Sequence, residues 1–269
     1  MNSFIVKSSM ILAVVFVGSG ARAETPARYF RIWEGFKRPD LSAQSFVREL
    51  PSFMADTVRL YGGRGLSNYI VVMPPASKPA FVPDELALVA ITAESDYRKI
   101  RETPEGQAYS ARHWDVFDRA TSRSAPQFID YQRTRPSALA EGVAYDVVGE
   151  PLDWSTGFTL VYIGVRKEGL APAEFLKHLR GHIELTRAQM VPRGLRGYIV
   201  TAHENYEVAY LNWSSKDAHD RAMASPGSRA VFADAQEIMN ALMYQEAVQI
   251  VAGSPVEDGC VYSTVQQPK

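Results

Sequence analysis

From Tyr29 onward the chain alternates two hydrophobic rhythms. Compact apolar runs read as strands, and longer stretches with apolar positions three and four apart read as helices. The clearest passage is 158–200, FTLVYIGVRKEGLAPAEFLKHLRGHIELTRAQMVPRGLRGYIV. It predicts strand, helix, strand. The helix starts at Pro172, a favoured first-turn residue, and ends before Pro192. Phe175 and Leu179 lie four apart and share one face.

The same pattern occurs earlier. Moved back so that Phe158 falls on Tyr29, the passage lies on 29–71 without a gap. The coinciding pairs are Gly35/Gly164, Leu41/Leu170, Phe46/Phe175, Leu50/Leu179, Thr57/Thr186, Arg64-Gly65-Leu66/Arg193-Gly194-Leu195 and Tyr69-Ile70-Val71/Tyr198-Ile199-Val200. The first helix is expected from Ser42, an N-cap residue, to about Tyr61. The shared glycines fall at a strand end and in the turn before the second strand.

A slightly shorter shift aligns Glu85–Ile91 with Glu207–Trp213 as a third strand, and Thr103-Pro104 with Ser225-Pro226 in the helical segment that follows. In the second half that segment is expected to cover Lys216–Tyr244, broken near Pro226-Gly227. Apolar stretches near Phe128–Tyr131 and Ala247–Val251 close the halves. Each half therefore reads β-α-β-β-α-β, the ferredoxin-like unit. The expected fold is α+β, with a first unit over 29–131, a linker over 132–156, a second unit over 157–252 and a tail over 253–269. Four prolines between Pro74 and Pro83 mark a longer loop than its counterpart in the second half.

The N-terminus changes the picture of where the chain works. Lys7 precedes the apolar run Met10–Val17, and Ala21-Arg22-Ala23 supplies a small-residue cleavage site, so 1–23 reads as a secretory signal too short to span a bilayer. The expected location is exported, periplasmic or secreted, with no membrane span after cleavage. The 269 residues carry a net charge of −1. Without Lys7 and Arg22 the balance becomes 27 positive against 30 negative, or −3. No Lys/Arg stripe supports nucleic-acid binding. The single cysteine, Cys260, permits no internal disulfide and has no basic neighbour in sequence to activate it.

The segments RKEGLAPAEFLKHLRGHIELTRAQMVPRGLRGYIV and YEVAYLNWSSKDAHDRAMASPGSRAVFADAQEIMN resemble the EthD-like branch of the dimeric α/β-barrel superfamily. Gly169-Leu170, Glu174-Phe175, His182, Gly194-Leu195 with Tyr198, and Ala224-Ser225-Pro226 carry the resemblance. The first unit matches more weakly, with Phe53 in the place of His182. The resemblance implies two ferredoxin-like sheets facing each other as a barrel, here within one chain acting as a monomer or homodimer. Its members include cyclases, dehydratases, decarboxylases, monooxygenases and haem-handling proteins, so it implies fold more firmly than reaction.

Strand alternation assigns side chains to faces. It predicts Leu160, Tyr162, Tyr206, Val208, Tyr210 and Asn212 inside the barrel, together with Arg31, Trp33, Leu86, Leu88 and Ala90. Such an interior suits a small hydrophobic or aromatic ligand, although a filled core fits the same pattern. His182 shares the sheet-facing side of its helix with Phe175 and Leu179 and is the first candidate for proton transfer. Glu34, expected to face the helices, is the second. Tyr162, Tyr210 and Asn212 complete the catalytic candidates. Arg31, Trp33, Tyr69, Tyr198 and Tyr206 are candidate substrate contacts. His178 and His182 have a spacing that can hold a metal, but without an obvious completing carboxylate or cysteine no metal site is assigned. His113-Trp114-Asp115 reads as a structural part of a helix.

These features favour an exported, cofactor-independent acid–base enzyme of dehydratase, isomerase, cyclase or lyase type. The alternative is a protein that binds haem or another small hydrophobe without catalysis. A third reading, an enzyme on a longer polymer, lacks the charged run it needs.

Overall fold

The computed structural model describes residues 29–74, 77–125, 128–149, 151–246 and 248–250. The expected signal segment, part of the proline loop, and the tail with Cys260 lie outside the described residues. Among those described, no helix is long and apolar enough to cross a membrane.

The first unit runs β1 (Tyr29–Gly35), α1 (Ala43–Tyr61), β2 (Leu66–Val72), β3 (Glu85–Ile91), α2 (Glu94–Glu102), α3 (Pro104–Val116) and β4 (Arg123–Ser124). A connecting stretch carries β5 (Phe128–Asp130), α4 (Tyr131–Thr134) and β6 (Val143–Asp146). The second unit runs β7 (Phe158–Arg166), α5 (Pro172–Met190), β8 (Leu195–Ala202), β9 (Tyr206–Trp213), α6 (Lys216–Met223), α7 (Pro226–Ile238) and β10 (Met239–Glu246), followed by β11 (Val248–Ile250). Ser42 caps α1 by accepting from the Ser45 N–H, as its position foretold. Gly65 and Gly194 precede β2 and β8 with φ of +103° and +104°, a conformation that L side chains rarely adopt.

The two sheets order as β11-β2-β3-β1-β4 and β10-β7-β9-β8-β6-β5. Within each lies the ferredoxin-like order, closing strand beside first strand. The remaining strands cross over. β11, from the end of the chain, pairs with the free edge of β2. β6, which follows the first unit, pairs with the free edge of β8. Val71 faces Val248, and its counterpart Val200 faces Tyr145. This corrects the expected closing stretches. Phe128–Asp130 joins the second sheet, while the short β4 closes the first. Residues 248–250 join the first sheet, while β10 closes the second. The final helix is likewise shorter than expected, because the chain turns into β10 at Met239.

Three apolar clusters result. One lies between the first sheet and its helices, around Phe46, Leu50, Phe53 and Phe117. Another lies between the second sheet and its helices, around Phe175, Leu179, Ile183 and Trp213. The third joins both units face to face, through Ile32, Leu86 and Leu88 from one and Val161, Ile163 and Val208 from the other. These side chains are almost fully buried, so the barrel interior is a packed core.

That core reverses part of the expected orientation. On β1, Ile32 points inward, and Arg31 and Trp33 face the helices. On β7, Val161 and Ile163 point inward, and Leu160 and Tyr162 face the helices. Strands buried on both faces show no clean alternation of apolar and polar residues, so parity has nothing to anchor it. On β3 and β9 the expected parity holds: Leu86, Leu88, Tyr206, Val208 and Tyr210 line the shared core. Glu34, expected on the helix face, shares the inner face with Ile32.

Candidate functional site

The structure gathers all but two of the candidate residues at three places. The first is a cavity between the second sheet and its helices, where β7, β8 and β9 present Tyr162, Tyr198 and Glu207 beneath His182 and Thr186 of α5. The two tyrosines thus meet His182 on the helix side of the sheet. The cavity is about 60 Å³ and its lining is mainly apolar. Phe232 of α7, 41% exposed, stands at its edge.

His182 is 5% exposed, and its Nδ1 lies 2.8 Å from Oδ2 of Asp234 on α7. A carboxylate oxygen accepts, so Nδ1 carries the proton and Nε2 keeps its lone pair. The Thr186 hydroxyl lies 3.4 Å from that nitrogen. Burial lowers the His182 pKa, and the Asp234 hydrogen bond partly opposes this. His182 is therefore neutral near pH 7. Glu207 is 1% exposed, and its Oε2 has no hydrogen-bond partner. Burial alone pushes its carboxyl up to about 8. The cavity thus holds a neutral imidazole and a protonated carboxylic acid at neutral pH.

The second place is the equivalent cavity of the first unit. It is roomier, about 380 Å³. Arg31, Trp33, Phe53 and Tyr69 line it where Leu160, Tyr162, His182 and Tyr198 line the other. Its histidine comes from the opposite helix: His113 of α3 packs 4.6 Å from Phe53 and 4.7 Å from Tyr109, centroid to centroid. His113 Nδ1 donates to the Tyr109 carbonyl at 3.0 Å, and burial lowers its pKa to about 4. His113 and Trp114, read from sequence as structural, both face this cavity. Glu85, the counterpart of Glu207, is fully buried beside Trp33 and does not itself line the cavity. Burial raises its pKa to about 8, and the Trp33 indole N–H approaches without closing a hydrogen bond.

The third place is one mouth of the barrel, where both units meet. His203, in the β8–β9 turn, places Nε2 2.6 Å from Glu34 Oε1 and Nδ1 3.0 Å from Glu141 Oε1. Arg123 Nε donates to Glu34 Oε2 at 2.8 Å, and the Tyr206 hydroxyl donates to the same oxygen at 3.2 Å. Burial raises the Glu34 pKa, but the His203 and Arg123 contacts more than offset it, and the net shift is downward. Burial lowers that of His203, but Glu141 and Glu34 overcome it, and the net shift is upward. Both nitrogens of His203 thus donate, and the cluster is a saturated ionic clamp with no spare base.

Two candidates belong to none of these cavities. Tyr210 is buried in the shared core, and its hydroxyl has no partner. Asn212 is locked by donating to the Thr156 carbonyl and Thr159 Oγ1. His178 is exposed on the outer face of α5. Among the described residues no group of three or more side chains is arranged to hold a metal ion. Haem does not fit either imidazole. His182 opens on too little space, and His113 is enclosed by Trp33, Phe53, Tyr109, Trp114 and Phe117.

Sequence reasoning missed Glu207, Glu85, Asp234 and His113. The two glutamates had a signal. A carboxylate heads the same apolar strand in both halves of the repeat.

No family model matches this chain, and no curated protein matches it. Among solved structures it is similar to a Lactobacillus acidophilus NCFM protein provisionally named a monooxygenase, at 9% identity over 84% of this chain and 94% of that one, with a TM-score of 0.42. It is also similar to SnoaB, a cofactor-independent oxygenase from Streptomyces nogalater, at 21% identity over 36% of this chain and 93% of that one, with a TM-score of 0.28. A heme-binding protein from Thermus thermophilus is similar at 10% identity over 83% and 93% of the two chains, with a TM-score of 0.34. Likenesses at this level attach none of those activities to the chain.

Proposed function

We propose that this chain is an exported, cofactor-independent acid–base enzyme acting on a small hydrophobic or aromatic compound in the cavity of its second unit. The observation that carries the reading is the pairing of His182 and Glu207 in one buried apolar cavity. One is held as a free base and the other as a free acid at the same pH. Environments that push titratable groups towards opposite roles are the usual mark of assigned acid and base functions.

The reaction class is proton transfer next to a carbonyl. His182 Nε2 takes a proton from the carbon beside the carbonyl, and Asp234 stabilises the imidazolium that forms. Glu207 gives its proton to the carbonyl oxygen, which yields an enol. Glu207 then takes back the enol proton while the His182 imidazolium gives its own either to another carbon, completing an isomerisation, or to a departing β-hydroxyl as water, completing a dehydration. Tyr162 and Tyr198, whose hydroxyls burial keeps protonated, orient the ring or the oxygen.

We further read the chain as a tandem duplication of an EthD-like unit, supported by the matching element order and crossed strands. On this reading, a monomer contains both halves of the barrel. Non-catalytic binding remains the second reading, favoured by the roomier aromatic cavity of the first unit.

The test is deuterium incorporation from D2O into a panel of small cyclic ketones and hydroxyaromatic compounds, followed by mass spectrometry. The expected result is protein-dependent exchange that His182→Ala abolishes and Glu207→Gln lowers at least tenfold, with melting of both variants showing an intact fold. Exchange that survives in His182→Ala overturns the assignment.

A further inference from the structure

The first unit's cavity is built from different chemistry than its counterpart. Its floor and walls are aromatic: Trp33, Tyr69, Tyr109 and Trp114. Three guanidinium groups border it. Arg31 stacks on the Tyr97 ring at 4.8 Å, Arg101 approaches the same ring at 5.9 Å, and Arg119 lies 5.6 Å from the centroid of Trp114. Arg31 also donates to the Tyr29 hydroxyl at 3.4 Å. None of the three forms an ion pair among the described residues, in contrast to Arg38, Arg59, Arg98, Arg112 and Arg123, which all do. No carboxyl is among the described residues that line the cavity, and the nearby Glu85, behind Trp33, is buried and protonated near pH 7, so the positive charge is not cancelled there.

Guanidinium groups laid over aromatic rings are held in place while their outer N–H groups stay free to donate in pairs to a carboxylate, sulfonate or phosphate. Aromatic walls accept a flat ring. The corresponding positions of the second unit, Leu160 for Arg31 and Met190 for Tyr61, carry neither charge nor ring. The two cavities therefore offer different chemistry to a ligand.

We propose that the first unit's cavity is a second small-molecule site, selective for a flat aromatic ring bearing an anionic group and separate from the apolar site at His182. The inference does not rest on the acid–base reading, because it uses none of the same residues. His113 lines the wall with Nδ1 committed to the helix backbone, and the anion is bound by Arg31, Arg101 and Arg119.

The test uses the full chain with 2-naphthoate and its uncharged analogue 2-naphthamide. Tryptophan fluorescence reports occupancy beside Trp33 and Trp114, and titration calorimetry gives the stoichiometry. The expected result is one naphthoate per chain, with the amide bound at least tenfold more weakly. Arg31→Gln and Arg119→Gln each weaken naphthoate several-fold and leave the amide unchanged, whereas His182→Ala and Glu207→Gln leave naphthoate binding intact. Arg119 is exposed, so its variant keeps the test valid if Arg31→Gln fails to fold. Equal binding of acid and amide, no binding, or loss in His182→Ala with retention in the arginine variants overturns the proposal. In the last case the probe occupies the second unit, and the acid–base reading is untouched.

Discussion

Glu207 stands directly opposite Gly164 across the β7–β9 ladder. Glu85 stands opposite Gly35 in the same way across β1–β3. Each glycine lies under the residue that ends the unit's last helix. A Cβ on Gly164 would come within 2.0 Å of Met239 Sδ, and one on Gly35 within 2.4 Å of the Phe117 ring. The glycine lets that residue descend onto the sheet, which helps seal the neighbouring glutamate from water. A sealed carboxyl has its pKa raised, so packing at the glycine and protonation at the glutamate belong to one arrangement.

This arrangement gives a signed pH dependence of stability. The folded pKa of Glu207 is about 8, above its unfolded value near 4.5. The folded state then binds the extra proton, and stability declines as pH rises from about 4.5 to 8. Glu207→Gln removes the titrating group. Urea melts across this range are expected to show a shallower decline for the variant, and a variant more stable than wild type above pH 8 by roughly 2–4 kcal/mol.

Activity should respond with two limbs. Turnover rises with pH as His182 loses its proton, below the ordinary histidine range because burial lowers its pKa. It falls near pH 8 as Glu207 ionises. A pH–rate profile of Glu207→Gln, whose residual rate lacks the alkaline limb while keeping the acid one, is the expected outcome. An unchanged alkaline limb assigns that group elsewhere.

Gly35→Ala places a methyl group against Phe117, a fully buried ring that touches Trp33, Phe46 and Phe53. The ring cannot swing away without disturbing the others. The expected cost is about 1–3 kcal/mol in chemical denaturation. Gly164→Ala should cost less, because its obstacle is the flexible thioether of Met239.

Much of this was legible before the fold was known. The repeat register located β1 to β3 and β7 to β9, and it placed the turn glycines Gly65 and Gly194. His182 was correctly placed facing the sheet because its helix has one apolar side. Arg31, Trp33 and Tyr162 were placed on the wrong face, because β1 and β7 are buried on both sides and their alternation carries no polarity. Asp234 could not be found, because it is a partly exposed acid on another helix whose closeness to His182 arises only in three dimensions. His113-Trp114-Asp115 reads as structural because neighbours on a helix point apart, and only the packed structure shows His113 and Trp114 facing one cavity.

The clamp at the barrel mouth has its own test. Glu34→Gln leaves Arg123 and His203 facing a neutral amide at a site where Glu34 is 1% exposed. A loss of about 3 kcal/mol is expected near neutral pH. Glu34 contributes above its unfolded pKa, and that contribution is lost as pH falls through its depressed folded value. His203 contributes below its unfolded pKa, and that contribution is lost as pH rises through its elevated folded value. The difference between wild type and variant should be widest between those limits. Comparison of Glu34→Gln, His203→Gln and the double variant measures the coupling.

The crossed strands impose an order in time. β2 is finished early in the chain, yet among the described residues its outer edge is paired only by Val248–Ile250, from much later in the sequence. A ribosome delivers the chain from its N-terminal side, so the first sheet waits with an open hydrogen-bonding edge until residues 248–250 have emerged. The first half can gather its core early, but it cannot close. Closure of the first sheet is thereby tied to the arrival of β11, and a chain cut short before β11 keeps an edge open to pairing with another molecule.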